Sequence, residues 1–157
     1  MPPRTRPADA TPARPVTIVA VVDPVAIIAS GSLDHNVYLY DTNKSAGSTG
    51  FGTERLRTTV RAGDRLIWNV VVLECETYAS LDDIVIDAKV CEPERRVFPG
   101  TDIVYWTGTV KKAVTEPVAY RLKFRLGTLT EPFALSTPAL AGPAPAAGRP
   151  GAVKERS

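Results

Sequence analysis

The segment Tyr120-Arg-Leu-Lys-Phe-Arg-Leu126 alternates without a break between an apolar side chain and a cation. That period of two puts Tyr120, Leu122, Phe124 and Leu126 on one face of a strand, and Arg121, Lys123 and Arg125 on the other. A helix would scatter the same charges around its circumference. The chain must therefore build a sheet with one apolar face, and the remaining sequence is read for the strands that complete it.

The same alternation recurs where Leu56, Thr58 and Val60 stand against Arg55, Arg57 and Arg61, before a turn at Ala62-Gly63-Asp64. Residues 16–22 are mostly β-branched and read as a buried strand that stops at Asp23-Pro24. Residues 25–29 suit a short helical turn, broken by Ser30-Gly31-Ser32. A second strand covers 36–41, with Val37 and Leu39 set against Tyr38 and Tyr40. Residues 42–52 carry Gly47, Gly50 and Gly52 and form a loop.

Residues 66–73 are apolar at nearly every position around Trp68, the pattern of a strand covered on both faces. Residues 81–90 alternate again, with Ile84, Ile86 and Ala88 inward and Asp83, Asp87 and Lys89 outward. If 67–73 and 83–90 pair as a hairpin, Cys75 lies near its turn and Cys91 near its open end. That separation disfavours a disulfide, whose Cα atoms must come within about 7 Å, and a change of sheet between the two strands would reopen it. Two reduced thiols are the simpler expectation. A polar connection from Cys91 leads through Pro99-Gly100 to a strand over 103–111 with Tyr105 and Trp106, and residues 133–135 close the set. These segments predict an all-β fold of about eight strands, an antiparallel two-sheet β-sandwich of jelly-roll type.

A chain of 157 residues suits one core, expected over 16–140. The 14 prolines crowd toward the ends, so 1–15 and 141–157 read as disordered tails, and the chain from Pro138 onward is already Ala, Pro, Gly and charge. With 19 Lys and Arg against 17 Asp and Glu the net charge of +2 gives no reason to expect nucleic acid or an anionic membrane as partner. No apolar run nears the roughly 18 residues that cross a bilayer, and no apolar leader segment precedes residue 16. A cytoplasmic protein is expected.

Chemistry is sparse in this sequence. The single histidine, His35, sits in a polar stretch and reads as a surface residue. One His and two separated Cys do not make a zinc set, and Asp82, Asp83 and Asp87 read as solvated acids at a strand edge. The glycines at 47, 50 and 52 lack the following helix and Lys-Ser/Thr of a phosphate loop. No catalytic residue, metal or cofactor is expected. Two features are open to a ligand. Arg121, Lys123 and Arg125, beside Arg55, Arg57 and Arg61, form either an anion-binding surface or a solvated face that keeps sheet edges apart. Trp68 and Trp106 are either core residues or, if exposed, stacking platforms for sugar. A carbohydrate site would use Trp106, Tyr105 or the loop 43–52.

Six short pieces occur in an order that resembles the AidA/PixA family of bacterial inclusion-body-type proteins. They are Ile18-Val-Ala-Val-Val-Asp23, Val37-Tyr-Leu-Tyr-Asp41, Gly50-Phe-Gly-Thr-Glu-Arg-Leu56, Ala62-Gly-Asp-Arg-Leu-Ile-Trp68, Val104-Tyr-Trp-Thr-Gly108, and Tyr120-Arg-Leu-Lys-Phe124 followed by Pro132-Phe133. The family commonly ends in a Trp-Asp-Pro-Phe motif, where this chain has Thr130-Glu-Pro-Phe133, and a methionine-rich member has no parallel in a chain with a single Met. The resemblance implies a cytoplasmic bacterial β-sandwich protein without enzymatic activity, in some members quorum-regulated and host-associated. It would act by self-association, as a homo-oligomer, or through a ligand surface. The alternative is a lectin-like module that takes a carbohydrate or anionic ligand.

Overall fold

A computed structural model describes residues 15–74 and 77–143. Eleven strands and one short α-helix follow in order: β1 (Pro15–Val22), α1 (Pro24–Ser30), β2 (Val37–Asp41), β3 (Arg57–Thr59), β4 (Arg65–Val72), β5 (Ala79–Val85), β6 (Glu94–Val97), β7 (Val104–Thr109), β8 (Val118–Ala119), β9 (Arg121–Leu126), β10 (Phe133–Leu135) and β11 (Ala139–Ala141). The all-β expectation holds. The strands form a five-stranded sheet in the order β2-β1-β4-β7-β6 and two three-stranded sheets, β10-β9-β5 and β3-β11-β8.

Two pairings correct the expectation of purely antiparallel sheets. β1 runs parallel to β4 along all eight residues, from Pro15 beside Arg65 to Val22 beside Val72, and β3 runs parallel to β11. Each parallel pair joins strands far apart in sequence, so no tight turn constrains their direction. The expected hairpin between 67–73 and 83–90 is also absent. β4 pairs with β1 and β7, whereas β5 crosses to another sheet and pairs with β9. The separation argument against a Cys75–Cys91 disulfide thereby loses its premise. Cys91 is a free, buried thiol, and Cys75 lies outside the described residues.

The apolar sides of all three sheets meet in one core. Val16, Ile18, Ala20 and Val22 of β1 alternate into it, with Leu66 and Trp68 of β4 and Leu122, Phe124 and Leu126 of β9. The opening pattern of residues 120–126 is thus realised side chain by side chain. In β5 the pairing register shifts between Leu81 and Asp83. A bulge of this kind inserts one residue and reverses the phase of the alternation, so Leu81 and Ile84, three apart, both point inward. The strand then ends at Val85. Ala88, expected inward, is exposed, because residues 87–91 close a turn in which Val90 and Cys91 N–H groups both donate to Asp87 O.

Three strands escaped the sequence reading. β6 is Glu-Arg-Arg-Val with every residue exposed, β8 has two residues, and β11 lies in the stretch beginning at Pro138 that lacked any core signal. Ala139 and Leu140 of β11, at the end of the expected 16–140 core, are buried between β3 and β8, and the strand runs one residue further to Ala141. Of the expected tails, Pro15 belongs to β1, and residues 1–14 and 144–157 lie outside the described residues.

Candidate binding surface

The loop 42–52 is fastened to β3. Asn43, itself buried, donates its side-chain amide to Thr59 O at 2.6 Å, and Ser48 Oγ accepts from Thr59 N at 2.9 Å. Gly50 has φ +83°, and a Cβ there would collide with the Arg55 carbonyl, so only glycine fits this close backbone approach. The glycines of this loop serve packing.

The cationic stripe of β9 lies across the sheet from acids and hydroxyls. Arg125 Nε pairs with Asp82 Oδ1 at 3.1 Å, and its guanidinium also donates to Thr130 O. Arg121 donates to Ser136 Oγ at 3.2 Å, and Lys123 is in register with Asp83. Arg57 belongs to β3, in a different sheet, so the two arginine-bearing strands are not paired into one patch. Among the described residues only Arg125 of the three is ion-paired, while Arg121 donates to a neutral hydroxyl and Lys123 is placed beside Asp83 by register alone.

The two tryptophans stand side by side in register on the inner face of the five-stranded sheet. Trp68 is fully buried and Trp106 is 8% exposed. A buried indole N–H needs an acceptor. Trp106 Nε1 donates to Leu81 O of β5 at 3.3 Å, and Trp68 Nε1 approaches the Tyr120 hydroxyl at 3.5 Å with the rings edge-on, 6.0 Å apart. Each indole therefore ties the large sheet to an element across the core. Neither ring offers the open face that a sugar would stack on. Tyr105 points the other way, and its ring packs against Phe98 at 4.6 Å on the outer side.

That outer side is the surface the sequence reading missed. Val19 of β1 stands between Tyr40 and Asn69, Val21 between Tyr38 and Val71, and Thr17 beside Ile67, which neighbours Thr107. All of these except Thr107 are half-buried or exposed, and Val71 is 50% exposed. Residues 66–73, read as covered on both faces, are covered on one. The signal was present: Ile67 and Val71 fall at the parity opposite to Leu66 and Trp68, as Val19 and Val21 do to Ile18 and Ala20.

His35 is exposed in a loop with φ +63°. Among the described residues no group of three or more His, Cys, Asp or Glu is placed to hold a metal ion, and no helix is long and apolar enough to cross a membrane.

A search of curated proteins finds no match. Among solved structures the chain is similar to the inclusion body protein PixA from Burkholderia cenocepacia J2315, with a TM-score of 0.60 at 15% identity, over 82% of this chain and 91% of that one. At that identity the likeness is one of fold, and it agrees with the resemblance read from the six short pieces. Sequence membership is given by a family model that matches residues 14–131, and the chain belongs to that family, described as Domain of unknown function (DUF8788).

Proposed function

We propose that this protein acts without chemistry of its own, by self-association through the outer face of its five-stranded sheet. The observation that carries this reading is the group Val19, Val21, Ile67 and Val71, flanked by Tyr38 and Tyr40, on the outer side of β1, β4 and β2, which the fold of one chain leaves uncovered although Thr17, Arg65 and Asn69 interrupt it. Strands with two apolar faces occur where both are packed, and a contiguous apolar patch left open on a soluble chain marks an interaction site. A second copy of the same sheet is the occupant that matches it.

The dimensions agree. Five strands about 4.8 Å apart and at most eight residues long at about 3.3 Å per residue bound the whole face at about 600 Å², with its apolar part on the β2-β1-β4 side. Phe98 and Tyr105 extend it at the β6–β7 edge. Stable interfaces bury about 800 Å² per partner, so the face supports a moderate, concentration-dependent association. The tyrosines Tyr38, Tyr40 and Tyr105 suit it, being large, stiff and able to keep a hydroxyl in water. The fold shared with an inclusion body protein supports the same reading. Sedimentation velocity across a concentration series tests it: the account expects species of two or more chains that grow with concentration, and a single-chain mass at every concentration overturns it.

A further inference from the structure

A cleft of about 270 Å³ opens where the five-stranded sheet and β5 splay apart at one end of the core. Trp68 and Trp106 line its floor, and Tyr78 and Ile103, 65% and 58% exposed, stand at its mouth. This volume lies just under the range of about 300–1,000 Å³ typical of small-molecule sites, so it admits one ring with a short chain. Because the tryptophans are 1% and 8% exposed, the accessible walls are chiefly Tyr78, Ile103 and Val104, which favour an apolar or planar group.

Two groups set the sign of charge. Asp102 lines the cleft and makes no ion pair among the described residues. β5 is the outer strand of its sheet, so one of its edges has no strand partner there. The Tyr78 carbonyl accepts from Gly127 N on the β9 side, and residues alternate along a strand, so the backbone groups of Ala79 face the opposite edge. Leu81 O, on that same edge, is already taken by Trp106 Nε1, whereas the Ala79 carbonyl has no strand partner. A carboxylate and a strand-edge carbonyl beside apolar walls call for a donor with positive charge. No Lys or Arg lines the cleft to reverse that preference.

We propose that this cleft binds small arylalkyl amines, with the ring between Tyr78, Ile103 and Val104 and the ammonium between Asp102 and the Ala79 carbonyl. The site is separate from the outer sheet face. Titration with 2-phenylethylamine and with phenylacetate, followed by selectively excited tryptophan emission and by calorimetry, tests it. Saturable binding of the amine, at least tenfold tighter than phenylacetate, is expected. Asp102→Asn should erase that difference while the near-ultraviolet circular dichroism is unchanged, and Val104→Phe, which fills the cleft from β7, should abolish binding. Equal binding of amine and carboxylate, no saturation, or an Asp102→Asn protein that binds as wild type overturns the proposal. If Val104→Phe does not fold, the Asp102→Asn comparison decides by itself.

Discussion

The two faces of the five-stranded sheet are built from the same strands and differ in what meets them. On the inner face Ile18, Leu66 and Trp68 are fully enclosed, and the indoles reach other elements across the core. On the outer face Val19, Val21, Ile67 and Val71 are no less apolar, yet water still reaches them. Side-chain hydrophobicity therefore separates the faces only in part, through Thr17, Arg65 and Asn69 on the outer one. What separates them further is that only the inner one has a partner within the chain, so the inner face carries stability and the outer face is the one proposed for association.

The largest effects belong inside. Trp68→Ala should cost about 3–5 kcal/mol in urea unfolding, from lost burial and the cavity left behind. An outer-face truncation such as Ile67→Ala should cost much less, and equal costs would break the distinction between the faces.

Next comes the tight approach at Gly108 of β7, where an added Cβ would lie 2.6 Å from Cys91 Sγ. Gly108→Ala should destabilise by about 1–3 kcal/mol as an overpacked site. A Cys91→Ala background should recover part of that loss, because Glu92 O and Pro93 Cα remain close at 3.2 and 3.3 Å. A double-mutant cycle with no coupling would contradict the contact.

Tyr120→Phe should cost about 1 kcal/mol, since it leaves the Trp68 indole N–H buried without its acceptor. Thermal melts of the variant check this directly.

Alkaline pH probes the same core by a different route. Burial pushes the Cys91 thiol up from 9.0 to about 11, a rise that Lys111 opposes and Glu92 reinforces. Burial likewise raises the Tyr120 hydroxyl, against a lowering by its hydrogen bond with Trp68 and with a further rise from Asp41. The unfolded chain releases the thiol proton near 9, whereas the folded chain holds it to about 11. Stability should be constant with respect to this group below 9 and fall between 9 and 11. Urea midpoints measured over that range should decline, and less steeply in Cys91→Ala.

What the sequence disclosed follows from which physical signals leave a local trace. The alternation at 120–126 became β9 because one face of that strand is core and the other is water. β6 left no trace, since all four of its residues are exposed at a sheet edge and its only demand is backbone pairing with β7. The parallel partnership of β1 with β4 is silent for the same reason: pattern reports burial, and pairing direction is chosen by the whole chain. Ala88 was given the wrong face because β5 ends at Val85 and residues 87–91 turn, a stop that the continuing alternation did not reveal. At the candidate sites, sequence identified Trp106 and Tyr105 as aromatic features but could not tell that one enters the core and the other the outer surface, because adjacent residues of a strand differ only in parity.

The central claim rests on the outer face, and Val71→Lys tests it most directly. Val71 is half-exposed, so a lysine there should change stability by no more than about 0.5 kcal/mol, while placing a charge inside any contact between two such faces. Light scattering on the eluting protein at matched concentration should give a multi-chain mass for wild type and a single-chain mass for Val71→Lys, with closely similar melting temperatures. The same multi-chain mass for both proteins would contradict the account.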